Sequence, residues 1–344
     1  MIFFPILSTA GKLAVESYSE FAPFQPDRSN SYLERRYTNE ASQFMEVNGA
    51  RVHYRDEGPR DAPTIVALHG SYSSLHTWDG WVDELSDDYR IVRLDMPGHG
   101  LTGPREGRQS VEAIAITVVM LCEKLGLENV IMAGNSLGGG IAWRIAIYHP
   151  QIVSKLVLIN SGGATLLSRM SDNLVSFGTD LIPRYMTPRL IIRLLLLDAY
   201  SDNSKISDDL VRRYHDLILR RGNRGALVEI AANYMADHYD EEMHEVIDAG
   251  VPTLPSMHDP SPKNWDDYNM ADIEQPALFL WGCDDEWLSV SFGMELAEQV
   301  PDSTFLTYPD VGHVAMEEAP GQTAADAAAW LAGADIQSRY SCDR

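Results

Sequence analysis

Val130-Ile131-Met132-Ala133-Gly134-Asn135-Ser136-Leu137-Gly138-Gly139-Gly140-Ile141-Ala142-Trp143 is the stretch whose reading decides the fold. Apolar residues suited to a buried strand run into Gly-Asn-Ser-Leu-Gly, and an apolar, helix-compatible run follows at once. A G-x-S-x-G pattern alone is weak, but between a strand and a helix it specifies a sharp turn with a serine at its apex. Gly134 and Gly138 matter because a side chain at either position would collide across the bend. The bend holds Ser136 in a strained conformation and lifts its hydroxyl above the carboxyl ends of the strands. Gly134, Asn135 and Gly138 are therefore expected to form a nucleophile elbow around Ser136, with Gly139 and Gly140 letting the helix pack close to the sheet. A Gly-rich turn carrying a merely structural serine is the bland alternative.

Outward from this turn, short apolar runs alternate with helical segments, the pattern of buried parallel strands joined by crossover helices. The strand candidates are 64–68, 89–94, 130–133, 156–159, 277–281 and 304–308. Ser110 to Leu125 reads as a helix with an N-cap serine and an apolar stripe of Val111, Ile114, Val118, Leu121 and Leu125. Residues 136–148, 290–299 and 323–331 read as further helices. Before them, Asn48-Gly49 between two strand-like runs predicts a hairpin, because the tight turn needs positive φ at both positions. The expected fold is α/β, a doubly wound, mostly parallel sheet with a helical cap inserted after the sixth strand. The cap is expected because alternation stops for more than a hundred residues after Ile159, where 189–197, 207–221 and 226–237 look helical. The expected division is 1–43 as an N-terminal arm, 44–163 and 271–344 as the two parts of the core, and 164–270 as the cap.

A serine hydroxyl is a poor nucleophile near neutral pH, so it needs a base in reach and a carboxylate behind that base. Among ten histidines, His313 has the late position and the strand-ending turn, in Tyr308-Pro309-Asp310-Val311-Gly312-His313. His53, His149, His215, His238 and His244 read as solvated or structural, and His69 as a residue shaping its own loop. The carboxylate candidates are Asp284 and Asp285, in the turn Gly282-Cys283-Asp284-Asp285 that ends a buried strand. Attack on a carbonyl creates an oxyanion that needs preorganised donors. The N–H of Leu137 is one candidate, and Ser71, after His69-Gly70, is the second. Gly98-His99-Gly100-Leu101-Thr102-Gly103 matches a dinucleotide fingerprint only formally, since Pro104 follows where a helix is required. Five tryptophans, Trp78, Trp81, Trp143, Trp265 and Trp287, are pocket candidates, although buried aromatics more often belong to the core.

Composition narrows the function classes. The net charge of −23 leaves no basic face for a phosphate backbone and disfavours polyanionic substrates. The acidic, Lys-poor balance suits a saline habitat and equally an Arg-biased genome with a solvated acidic surface. The cluster Asp237, His238, Asp240, Glu241, Glu242 and His244 lacks the spacing of a helical zinc site and reads as a solvated face. No cofactor or metal is called for, and the expected partner is a small-molecule substrate, with no nucleic acid and no stable membrane span. Cys122, Cys283 and Cys342 are odd in number and scattered, so no disulfide framework is expected, and a reducing, cytoplasmic location fits. Ile2 to Leu7 is apolar but too short to span a bilayer, and leaves a lesser reading of export or membrane contact.

Taken together, His69-Gly70-Ser71, Asp95-Met96-Pro97-Gly98-His99-Gly100, Gly134-Asn135-Ser136-Leu137-Gly138-Gly139, Gly282-Cys283-Asp284-Asp285 and Gly312-His313 resemble the signature set of the α/β-hydrolase superfamily. The resemblance covers roughly 45–163 and 271–335. It implies a triad running Ser, acid, His along the chain, and it singles out Asp285, because the family's acid usually stands fourth from the glycine. A serine at position 136 departs from the aspartate of haloalkane dehalogenases and epoxide hydrolases. The elbow and Asn160-Ser161-Gly162-Gly163 also resemble meta-cleavage-product hydrolases, which cut carbon–carbon bonds. Those enzymes commonly carry Trp after the catalytic His, where this chain has Val314, and a more Gly-rich loop after His69. The resemblance thus implies a serine hydrolase acting on a small carboxylic ester or lactone, ahead of carbon–carbon hydrolysis or a non-catalytic ligand-binding role.

Overall fold

The computed structural model describes residues 24–162, 187–238, 269–336 and 341–342. Its centre is an eight-stranded sheet: β1 (Ser42–Val47), β2 (Ala50–Glu57), β3 (Thr64–Leu68), β4 (Arg90–Leu94), β5 (Val130–Ser136), β6 (Val153–Ser161), β7 (Ala277–Gly282) and β8 (Ser303–Tyr308). The spatial order is β1-β2-β4-β3-β5-β6-β7-β8. β1, β2 and β4 pair antiparallel, and from β4 to β8 the pairing is parallel. The hairpin between β1 and β2 turns where Asn48 and Gly49 take φ of 47° and 72°, as the Asn-Gly dipeptide demands.

Side chains alternate between two apolar layers, one on each face of the sheet. On β3, Val66 and Leu68 enter one layer while Ile65 and Ala67 enter the other; on β7, Phe279 and Trp281 oppose Leu278 and Leu280. These central strands are apolar throughout because both faces are covered. The helices are α1 (Asn30–Tyr37), α2 (Asp79–Leu85), α3 (Val111–Leu125), α4 (Leu137–Tyr148), α5 (Arg189–Ala199), α6 (Asp208–Ile218), α7 (Asn223–His238), α8 (Val290–Ala297), α9 (Ala315–Glu318) and α10 (Pro320–Leu331). Helices α3, α4 and α8 cover the first layer, and α2 and α10 the second. α3 starts on the Ser110 side chain, which accepts from Ala113 N–H, and stops at Gly126 in the left-handed conformation.

Between β6 and β7 the described chain is helical. Ile192, Leu196, Val211 and Ile218 of α5 and α6 join the second layer, while Ile230 and Tyr234 of α7 join the first. Two features depart from expectation. The arm contains α1, whose Tyr37 hydroxyl donates to Asp216 on α6 at 2.9 Å, an anchor that hydrophobic periodicity does not reveal. The reading of the cysteines is corrected: Cys283 and Cys342 form a disulfide across a sequence separation of 59, leaving Cys122 free and buried. Scattered spacing said nothing about pairing, because the tail is brought to the end of β7 by tertiary structure. Among the described residues no helix is long and apolar enough to cross a membrane. Ile2 to Leu7, Trp265, His244 and the side chain of His238 lie outside the description.

Candidate active site

Ser136 sits where β5 gives way to α4, with φ 52° and ψ −119°. Both elbow glycines are required by contact. A Cβ on Gly134 would stand 2.4 Å from the Gly138 carbonyl oxygen, and one on Gly138 would stand 2.3 Å from that of Leu68. On Gly139 a Cβ would meet Ser161 Oγ at 2.3 Å, so α4 lies as close to β6 as expected. The other elbow residue, Asn135, is buried and donates through Nδ2 to the carbonyls of His313, at 3.0 Å, and Ile159, at 3.1 Å. It thereby ties the serine turn to the histidine turn.

His313 is buried, and its Nδ1 lies 2.8 Å from Asp285 Oδ2. Nε2 has no hydrogen-bond partner among the described residues. His313 and Ser136 line the same cavity, and the imidazole is held through Nδ1. The Asp285 carboxylate is fixed from several sides. Oδ1 accepts from the N–H groups of Trp287 and Leu288, both at 2.9 Å, and Oδ2 accepts from Asn160 Nδ2 at 2.7 Å. Asp284 points elsewhere, accepting from the Ser201 hydroxyl.

Asn160 entered the sequence reading only within a family resemblance, with no role assigned to it. It is buried at the end of β6 with φ 42°, and besides donating to Asp285 it accepts from Gly282 N–H at 3.4 Å. The available signal was an asparagine after a buried strand that neighbours the elbow strand; Asn tolerates the left-handed region and still supplies a donor.

The loop after β3 approaches the serine closely: a Cβ on Gly70 would stand 2.9 Å from Asn135 Oδ1 and 3.1 Å from Ser136 Cβ. Ser71 follows and lines the cavity, while Leu137 opens α4 directly after Ser136. His69 anchors this loop, donating from Nδ1 to the Gly70 carbonyl at 2.7 Å and accepting from Met96 N–H at Nε2, 3.0 Å away. Burial lowers its pKa, so the neutral tautomer that makes both bonds is the stable form. The edge of the neighbouring His99 ring packs on it, and burial above all lowers the pKa of His99 to about 3.

Asp95 is the hub beneath. It accepts from Leu75 N–H at 2.8 Å, Leu101 N–H at 2.8 Å and His53 Nδ1 at 2.7 Å. Burial pushes its carboxyl upward, but these bonds, the one from His53 foremost, outweigh it and hold the group well below the ordinary value. With Ser42 Oγ 3.0 Å from His53 Nε2, a second serine–histidine–aspartate row exists. Its serine is already occupied by Asn39 and Arg55, so the row stitches β1, β2 and β4 together.

The cavity over Ser136 measures about 50 Å³. Ile192, Leu195, Leu196, Ile218, Val314 and Trp287 give it apolar walls. Among the described tryptophans Trp287 reaches it, its ring 4.7 Å from the His313 imidazole, whereas Trp78, Trp81 and Trp143 are fully buried in the core. Two of its hydroxyls are committed: Ser73 donates to Tyr214 at 3.3 Å, and Tyr214 donates to Glu317 Oε2 at 2.5 Å. No Lys or Arg side chain is among the described lining residues.

Comparison with known proteins gives the same architecture. A family model described as the alpha/beta hydrolase fold matches residues 63–190. The chain is 33% identical over 174 residues to a dihydrolipoyllysine-residue acetyltransferase component of an acetoin cleaving system from Cupriavidus necator, covering 50% of this chain and 45% of that one. It thus spans less than half the length of that relative. It is 27% identical over 281 residues to a 2-hydroxy-6-oxononadienedioate/2-hydroxy-6-oxononatrienedioate hydrolase from Pseudomonas putida, covering 78% of this chain and 87% of the relative. Among solved structures, a meta-cleavage product hydrolase from Pseudomonas fluorescens IP01 superposes with a TM-score of 0.66 at 20% identity, covering 85% of this chain and 98% of that one. An enol-lactonase from Burkholderia xenovorans LB400 gives 0.65 at 20% identity, covering 84% and 100%. At such identities these two likenesses concern the fold alone.

Proposed function

We propose that this chain, which belongs to the α/β-hydrolase superfamily, is a serine hydrolase that cleaves a small, uncharged carboxylic ester or lactone through an acyl-enzyme. The observation that carries this reading is the His313 imidazole, bonded to Asp285 through Nδ1 and without a partner at Nε2 among the described residues, in one cavity with a serine held at positive φ. In the proposed reaction Ser136 Oγ attacks the carbonyl carbon as its proton passes to His313 Nε2. Asp285 stabilises the resulting imidazolium. The carbonyl oxygen becomes an oxyanion received by the N–H groups of Leu137 and Ser71. Collapse of the tetrahedral species breaks the bond to the alcohol oxygen, which takes the proton from His313. Water, deprotonated by the same nitrogen, then releases the carboxylic acid and regenerates the serine.

The substrate class follows from the walls. Apolar side chains, the paired hydroxyls of Ser73 and Tyr214, and a volume that holds only a few heavy atoms suit a short neutral acyl group. A second reading, carbon–carbon hydrolysis, is favoured by the likeness to the dienedioate hydrolase. A dioate needs a cationic partner, and the described walls supply none. The Cys283–Cys342 disulfide favours an oxidising compartment over the cytoplasm. The division into core, cap and arm is kept as part of this proposal.

Turnover of aryl esters of graded acyl length, lactones and a coloured ring-fission dienoate tests the assignment. Short esters or lactones should turn over fast, the dienoate slowly, and Ser136→Ala should abolish turnover while remaining folded. Undiminished ester hydrolysis by that variant would remove Ser136 from the mechanism, and rapid bleaching of the dienoate beside slow ester turnover would establish the second reading instead.

A further inference from the structure

The C-terminal turn of α5 enters the space between the loop bearing His313 and the loop bearing Asp285. The His313 backbone N–H donates to the Ala199 carbonyl at 2.7 Å. A Cβ on Gly312 would stand 2.3 Å from that carbonyl oxygen, so the base loop lies directly on the turn. Glu318, buried at the end of α9, closes the join. One of its carboxylate oxygens accepts from Gly312 N–H and the other from Asp202 N–H, both at 2.7 Å. On the opposite side the Ser201 hydroxyl donates to Asp284 Oδ2 at 2.6 Å. The Trp287 indole N–H donates to the Asp198 carboxylate, with its ring against His313. Residues 198–202 thus touch the residues flanking both the base and its acid.

We propose that Glu318 and Ser201 are positioning residues: they lock the α5 turn of the cap to the base loop and the acid loop, so that the seating of the cap sets where His313 Nε2 stands relative to Ser136. The proposal rests on the acyl-enzyme reading given above. A carboxylate is what position 318 requires, because two backbone N–H donors from separate segments converge there and only two acceptor oxygens on one rigid group can serve both. A buried charge is expensive unless hydrogen-bonded, and this one is bonded to the two segments whose spacing matters. Glutamine has nearly the same shape but turns an NH2 toward one of those donors, so Glu318→Gln breaks one link without opening a cavity. Ser201→Ala breaks the link to the acid loop and touches neither the triad nor the pocket walls.

The test compares wild type, Glu318→Gln and Ser201→Ala for kcat and KM on 4-nitrophenyl acetate, for the rate at which a fluorophosphonate labels Ser136, and for melting temperature. Positioning predicts that kcat of Glu318→Gln falls at least tenfold with KM within twofold, that labelling slows in the same proportion, and that Ser201→Ala shows the same pattern at a few-fold loss. A purely structural role predicts lower melting temperatures with kcat and labelling rate per folded molecule unchanged, and that result overturns the proposal. Should Glu318→Gln fail to fold, Ser201→Ala decides alone. A wild-type protein that neither hydrolyses the ester nor is labelled overturns the acyl-enzyme reading and this inference with it; a labelled wild type beside unaltered variants overturns this inference only.

Discussion

Acidification to about pH 5 should destabilise this protein through His99, with a magnitude that follows from its burial. The pKa of His99 is lowered from 6.5 to about 3, chiefly by burial. The folded state therefore holds the ring neutral, while the unfolded chain takes up a proton as pH falls through the ordinary histidine value. The destabilisation is absent above that value, grows at about 1.4 kcal/mol per pH unit below it, and saturates near the folded pKa. Between neutrality and about pH 5 it amounts to about 2 kcal/mol. His69 is lowered by burial too and acts in the same direction. Asp95 has the opposite chemistry: its depressed pKa stabilises the fold above the ordinary carboxylate value and is lost only at still lower pH. Urea unfolding of wild type and His99→Gln at both pH values isolates the effect, because the large negative charge of the chain is common to both proteins. Wild type should lose about 2 kcal/mol more than His99→Gln on acidification. Equal losses would show that this ring is not held neutral by its surroundings and would refute the account of the loop.

Two further outcomes are expected. Asn160→Gly keeps the backbone freedom that φ 42° requires and removes the donor to Asp285. A hydrogen bond to a charged group contributes about 1.5–3 kcal/mol, so kcat for a short ester should fall about tenfold to a hundredfold with KM nearly constant; wild-type kcat would show that Asp285 needs no such support. Cys342→Ser opens a loop with a sequence separation of 59 and should cost up to about 4 kcal/mol in urea unfolding, on the chain-entropy account of cross-linking. A reductant should weaken wild type by the same amount and leave the variant unchanged, and a wild type indifferent to reductant would mean that the two sulfurs are not joined.

Much of this fold was legible in the chain because its determinants are local. Alternation of side chains through a pleated sheet makes buried strands visible as short apolar runs, and Asn48-Gly49 announces a hairpin because few other pairs tolerate φ of 47° and 72° in succession. The elbow was legible for the same reason. Gly134 is needed because its Cβ would strike the carbonyl of Gly138, only four residues away, so the requirement is written within one turn of chain.

What only the tertiary structure decided concerns partners. Asp284 and Asp285 are adjacent and chemically identical, and nothing local says which carboxylate turns to His313 and which to Ser201; the packing of three separate loops decides it. The role of Asn160, that of Glu318 and the Cys283–Cys342 bridge went unseen for the same reason, each acting on groups brought close by the sheet order rather than by the chain. Sterics and periodicity act over a few bonds and leave their mark in short stretches of sequence. The choice of a hydrogen-bond partner depends on where distant segments arrive, which the sheet and its helices settle together.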